Sequence, residues 1–216
     1  MPTSDVEPID TWHTSGMCGT GSWDFKISDV FIPDEHALPF QDILDATTGI
    51  AERFDGPLYS TPLMPVLCFA ASLPILGAAQ MALAEFSKQM GDKIAKNQLR
   101  SGTPLVDVSE TLGGASLKIE AAELVLRGVM ADVMAKRNQA TIAERNKWLA
   151  RVTYAVSTCK EAALQISELT GASGGMLSNP IQRAVRDISI ASNHVVFSKA
   201  NQFSDIGRSL LEQKEQ

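Results

Sequence analysis

Between Pro104 and Arg137 apolar residues recur at steps of three and four: Val108, Leu112, Ala115, Ile119, Ala122, Leu126, Val129 and Val133. That period places them on one stripe of a helix of about 30 residues. Such a helix needs partner helices to cover the stripe, and the same chain supplies them. A second periodic run covers about Ala140 to Thr170 on Ile142, Leu149, Val152, Val156, Cys159, Ala163 and Ile166. An apolar run from about Leu63 to Met90 reads as a helix kinked at Pro74 and stopped at Gly91, and a last helix begins at Pro180 and continues to about Leu211 despite Gly207. Four amphipathic helices joined by short connections predict a mostly α fold, an up-down four-helix bundle over residues 63–216.

Upstream the pattern changes. Residues 9–33 mix Trp, Thr, Phe, Val and Ile with Gly and Ser, and Phe25, Ile27, Val30 and Ile32 predict short strands. A short β segment over 1–40 therefore precedes the bundle. Residues 41–62, with Gly49, Gly56 and Pro57 as breakers, form the connection.

Composition narrows the function classes. The formal net charge is −6 with no basic cluster, which argues against nucleic acid and anionic membrane surfaces as partners. The three cysteines Cys18, Cys68 and Cys159 lack disulfide or zinc-ligand spacing, so no metal site is expected and a reducing, cytoplasmic location fits. The N-terminus has no positively charged and apolar leader pattern, and Pro65 and Pro74 interrupt the apolar stretch Leu63 to Leu83, so no membrane span is expected.

The last helix has the best-determined start. Asn179 is a good N-cap, and Pro180 sits at the first helical position, where its missing N–H costs nothing. Continued as one helix, it carries Ile181, Val185, Ile188, Ser192 and Val195 on one stripe and Arg183, Asp187 and His194 on the opposite side, flanked by Ile190 and Phe197. An Arg, an Asp and a His among apolar groups suggest a cleft or a subunit interface. An Arg–Asp ion pair with a surface histidine fits the same spacing.

The run Gly174-Gly175-Met-Leu-Ser-Asn-Pro180-Ile-Gln-Arg183-Ala-Val-Arg186-Asp187, followed by His194, resembles the C-terminal domain of the acyl-CoA dehydrogenase superfamily. It is most similar to the flavin-dependent monooxygenase branch, which holds the dibenzothiophene monooxygenases and the p-hydroxyphenylacetate hydroxylase oxygenase components. A second match, Trp12…Gly16-Met-Cys-Gly19-Thr20-Gly21-Ser22 and then Asp29-Val-Phe-Ile-Pro33, resembles the family pattern W…GMRGTGS…DVFVP. The two matches bracket nearly the whole chain in the family's order.

The resemblance implies chemistry. Many dehydrogenases of the superfamily place a base glutamate eight residues after the Asp of the Arg-Asp pair, and here that position is Val195, which cannot take a proton. The monooxygenase branch carries a histidine one residue earlier, matched by His194. There reduced flavin and oxygen form a C4a-hydroperoxide beside an aromatic substrate, and a histidine that exchanges protons near neutrality suits deprotonating a phenol or stabilising the peroxide. The resemblance further implies a flavin-phosphate role for Gly174 and Gly175, although a helix-ending turn explains them equally well. It places Trp12 in the substrate pocket with Phe197, and Thr20 and Ser22 beside the flavin. A buried tryptophan and turn-forming hydroxyls are the plainer readings. Arg183, Arg186 and Asp187 take structural or interface roles. Cys18 stands where the pattern has Arg, removing a guanidinium from that site.

The expected function is the oxygenase component of a two-component monooxygenase, corresponding to its C-terminal part. It would hydroxylate an aromatic or heteroaromatic small molecule with reduced FMN or FAD supplied by a flavin reductase, as a homo-oligomer, by resemblance a tetramer. The family's N-terminal helical domain and most of its β domain would lie upstream of the matched segment. An internal Met1, a fragment boundary and the start of a reduced paralogue all fit that. An FAD-dependent acyl-CoA dehydrogenase and a non-catalytic assembly fragment are the alternatives.

Overall fold

The computed structural model describes residues 1–99 and 104–212. Two short strands, β1 (Glu7–Ile9) and β2 (Asp24–Lys26), pair antiparallel with Pro8 opposite Phe25. Two short helices follow, α1 (Phe40–Asp45) and α2 (Ile50–Arg53), and then the long helices α3 (Leu63–Ala95), α4 (Leu105–Lys136) and α5 (Ile142–Thr170). The chain ends in α6 (Pro180–Ala191) and α7 (Lys199–Glu212).

The mostly α architecture follows from the periodicity. On α4 the buried residues are Val108, Ala115, Ile119, Ala122, Leu126, Val129 and Val133, all on the predicted stripe. Helix α5 is the hub: it packs against α3, α4, α6 and α7. Its many small side chains, among them Ala155, Ala162, Ala163 and Cys159, let neighbours approach from several sides and are almost wholly buried. Its start is fixed by a reciprocal cap in which the Thr141 hydroxyl accepts from the Glu144 amide and the Glu144 carboxylate accepts from the Thr141 amide.

The structure corrects four expectations. Helix α3 runs through Gly91 and stops beyond Ala95, where Asn97 adopts a left-handed φ of 52°. Nothing within 4 Å would meet a Cβ at Gly91, so no contact singles that position out as a stop. Pro65 and Pro74 do not interrupt α3 either. The helix is long and apolar enough by composition to cross a membrane. One side of it, through Cys68, Ile75, Ala79, Ala82, Phe86 and Met90, lies in the bundle core.

In the β segment, β2 pairs with Glu7–Ile9, and the short strand expected over Val30 to Ile32 does not form: those residues have no regular secondary structure, and Phe31 is exposed. The connection 41–62 carries α1 and α2, and the Arg145 guanidinium bonds Asp45 at 2.9 Å to tie α1 to α5.

The fourth correction concerns the last helix, which is two helices. It ends at Ala191, a one-turn helix covers Val195–Phe197, and α7 begins at Lys199. The break buries Val196 and Phe197, each only 5% exposed. Burial of side chains of that size stabilises by about 1.5–3 kcal/mol each. Local bonds support the turn: the Ser192 hydroxyl donates to the Ser189 carbonyl at 3.1 Å, and His194 Nδ1 accepts from the Val196 amide at 3.3 Å. His194 therefore does not share a helix face with Arg183 and Asp187, and Val195 is 77% exposed rather than part of an apolar stripe.

Candidate active site

The segment from Trp12 to Ser22 lies across the middle of α6. A Cβ on Gly16 would fall 2.3 Å from the Arg186 carbonyl oxygen, so the chains touch backbone to backbone and only glycine fits. The Met17 amide donates to Asp187 Oδ1 at 2.7 Å, and the Arg186 guanidinium donates to the Ser15 carbonyl. Arg186 is steadied by Gln182 at 2.8 Å, and Arg183 lies 3.6 Å from Asp187 as an i,i+4 pair, itself well exposed.

Met17 holds a left-handed φ of 55°, which turns its carbonyl inward. That oxygen accepts from Trp12 Nε1 at 2.9 Å and from the Thr20 hydroxyl at 3.0 Å. Ser22 Oγ is 3.1 Å from Thr20 Oγ1, and since the Thr20 proton is committed to Met17, Ser22 is the donor. Both hydroxyl protons are thus used within the loop, and toward a ligand these oxygens act as acceptors.

Loop, α3 and the α6–α7 turn together enclose a cleft of about 520 Å³. Trp12, Met17, Ala71, Pro74, Ile190 and Phe197 give it apolar walls, while Thr20, Ser22, Asn193 and His194 supply polar groups. His194 is the one ionisable side chain among its lining residues. The ring of Phe197 meets the imidazole edge to face, with centroids 6.5 Å apart. The structure therefore brings Trp12, Thr20, Ser22, His194 and Phe197 to one place. A second cleft of about 700 Å³, with Lys160, Glu161 and Lys199 in its lining, lies on the other side of His194.

Gly174 and Gly175 are not in that cleft. They sit beyond the N-terminus of α6, a helix roughly 18 Å long at the usual rise. A Cβ on Gly174 would overlap the Thr170 hydroxyl, 1.7 Å away, whereas Gly175 is exposed with open space around it. Cys18 is exposed, with its thiol bonded to the Thr14 carbonyl. It lines a separate hollow with Arg183, Arg186 and Asp187. Cys68 and Cys159 lie in the core, where burial pushes their thiols up to about 11 and about 12.

Several lining residues escaped sequence reasoning. Ala71 and Pro74 reach the cleft from about 120 positions away, which no local pattern reveals. Asn193 follows from the helix break, and the signal was present: Ser192, Asn193 and Ser198 are residues that favour helix ends.

A family model, acyl-CoA dehydrogenase, C-terminal domain, matches residues 68–199. The chain belongs to that family. It is 28% identical over 98% of its length to a pigment production hydroxylase from a Rhodococcus species, covering 55% of that protein. It is 29% identical over 98% of its length to the oxygenase component of an FADH2-dependent resorcinol hydroxylase from a Rhizobium species, covering 54% of that protein. Among solved structures, the HsaA monooxygenase from M. tuberculosis superposes with a TM-score of 0.88 at 24% identity, covering 98% of this chain and 56% of that one. XiaF from a Streptomyces species, in complex with FADH2 and glycerol, superposes with a TM-score of 0.84 at 24% identity, covering 98% and 54%. These superpositions establish the shared fold. The chain spans about half the length of the curated relatives it matches.

Proposed function

We propose that this chain supplies the helical side of the active site of a flavin-dependent monooxygenase, the oxygenase component of a two-component system. One observation carries the reading: among the described residues, the cleft that gathers Trp12, Thr20, Ser22 and Phe197 has a single ionisable group, His194, and no carboxylate. A dehydrogenase acting beside a thioester needs a base for the α proton; Val195, exposed and outside this cleft, cannot serve, and among the described residues none that lines the cleft is a carboxylate. Two relatives that match nearly the whole chain are a hydroxylase and the oxygenase component of another. An acyl-CoA dehydrogenase is the second reading, favoured only by the family's breadth.

The residues present fit one wall of a flavin and aromatic-substrate site. An apolar cleft of this size is in the ordinary range for a small-molecule pocket, and its aromatic rings suit a planar ligand. Thr20 and Ser22 would lie along the flavin side, and Trp12, Phe197 and His194 along the substrate side. A bound reduced flavin, FMN or FAD, would supply the electrons that activate dioxygen. Trp12, Ile190 and Phe197 exclude water, the Thr20 and Ser22 oxygens accept hydrogen bonds, and His194 meets the polar atom of an aromatic or heteroaromatic substrate. The reduced flavin would come from a separate reductase.

Gly174 packs on Thr170, so a phosphate role rests on Gly175 and the amides next to it. Exposed apolar side chains on the outer face of α4, Leu117 and Leu124 among them, support self-association, with a tetramer as the expected state. The free thiols of Cys68 and Cys159 in the core suit a cytoplasmic setting.

The test supplies the full gene product with reduced FMN or FAD, a panel of phenols and indoles, and isotopically labelled dioxygen. Incorporation of one labelled oxygen atom into the ring supports the reading. Oxidation of acyl-CoA thioesters with no labelled product contradicts it.

A further inference from the structure

The break between α6 and α7 leaves the carbonyl of Val196 to be satisfied by side chains, and groups from three helices, α3, α5 and α7, form a network on it. Gln202 on α7 donates its side-chain amide to this oxygen at 2.7 Å, and the Cys68 thiol on α3 approaches it at 3.6 Å. The Thr153 hydroxyl on α5 bonds the other end of the same amide, Gln202 Oε1. Thr153 is 1% exposed and Val196 is 5% exposed, while Gln202 is half-buried, so this chain of bonds has its two ends in the core. The orientation of the Gln202 amide is forced, because a carbonyl at one end demands the NH2 group and leaves the oxygen for the hydroxyl.

On its other side the same residue touches the cleft's one ionisable group: the Val196 amide donates to His194 Nδ1 at 3.3 Å. A backbone N–H can donate only to an unprotonated nitrogen, so the neutral imidazole keeps its proton on Nε2. Among the described residues Nε2 has no protein partner. The neutral ring is therefore a donor at its free edge, and its one acceptor nitrogen is occupied by backbone.

We propose that Gln202, held by Thr153, is a positioning residue that fixes the Val195–Phe197 turn and thereby locks His194 as the Nε2–H tautomer. In this state His194 offers a hydrogen bond to the cleft and does not take a proton from a substrate. The ligand that meets it does so with an acceptor, a phenolate or carbonyl oxygen or a ring nitrogen, and a phenol enters already ionised or loses its proton to another group. This replaces deprotonation of a phenol by the neutral ring, and its catalytic consequence rests on the monooxygenase reading given above.

Two readouts separate the inference from that reading. The first is nitrogen-15 NMR of the imidazoles at alkaline pH, with His194 assigned by its absence in His194→Ala. Wild-type protein gives the single Nε2–H pattern. Gln202→Met, which keeps volume but loses the amide, gives shifts averaged over both tautomers while the protein stays folded. Thr153→Val, which frees the far end of the amide, moves the shifts the same way, and Thr153→Ser restores the wild-type pattern. An Nδ1–H pattern in the wild type overturns the proposal whatever the variants do, as does an unchanged pattern in either folded variant. The second readout is turnover: Gln202→Met lowers product per flavin oxidised by roughly 10- to 100-fold while KM for flavin holds, the cost of a misplaced group. If the protein proves to have no oxygenase activity, the proposed function fails and the NMR result still decides the tautomer.

Discussion

The Met17 amide donates to the Asp187 carboxylate at 2.7 Å across 170 positions of sequence. This bond, with the contact of Gly16 on the Arg186 backbone, holds the Trp12 loop against α6 and so forms one side of the cleft.

Asp187→Ala leaves the Met17 amide without its partner, a loss of about 1–3 kcal/mol. Amide hydrogen exchange over residues 12–22 should accelerate while α3 to α5 keep their protection. Gly16→Ala should produce the same loosening, because its new methyl group meets backbone that cannot move aside. The two changes should add to less than the sum of their separate effects, since both release one contact.

The glycine pair divides into two roles. Gly174→Ala pushes a methyl group into Thr170 and should cost about 1–3 kcal/mol, read as a lower melting temperature. Gly175→Ala should stay within about 0.5 kcal/mol of wild type. Equal losses at both positions would contradict the packing role assigned to Gly174.

Glu144 gives the bundle a pH dependence. Its hydrogen bond with Lys136, together with the Thr141 cap, holds its carboxyl down at about 2, below the ordinary 4.5. A carboxyl with a lowered folded value favours the folded state when ionised. Its contribution is therefore complete above about 4.5, declines as pH falls through that window, and is gone below about 2. Urea denaturation of wild type and Glu144→Gln from pH 6 downward checks this: the two curves should converge at the acid end.

Thiol chemistry should divide the three cysteines. In the folded protein a thiol reagent should modify exposed Cys18 quickly and leave Cys68 and Cys159 unmodified until the protein unfolds, because burial keeps both in the unreactive protonated form. Fast modification of either core thiol would contradict the packing of Cys68 beneath Val196 or of Cys159 within α5.

The sequence made the long helices legible because each carries its stripe over many turns, and the start of α6 legible because Asn179 and Pro180 act locally. The break at residues 192–198 carried only a weak local mark, in Ser192, Asn193 and Ser198, which the apolar period overrode. A period of 3.6 continues through that stretch, and what ends the helix is the burial of Val196 and Phe197 against α5, a tertiary gain that periodicity does not register. The partner of β2 was hidden for a similar reason, since three exposed residues around Pro8 carry no alternation. At the site, the family motifs led to Trp12, Thr20, Ser22, His194 and Phe197, which lie together. The contact of Gly16 with Arg186 and the network of Gln202 with Thr153 join distant segments, and only the fold displays them.

Under the proposed function, oxygen is transferred in the cleft between Trp12 and His194. The most direct measurement compares His194→Ala with wild type in the full gene product, recording hydroxylated product, released hydrogen peroxide and melting temperature together. Removing a positioned hydrogen-bond donor from the reaction site should lower product by about 10²–10³-fold. Peroxide should rise as flavin oxidation uncouples from hydroxylation, and the stability change, at an exposed side chain, should stay near 0.5 kcal/mol. Unchanged product with a melting temperature several degrees lower would make His194 a structural residue and contradict the account.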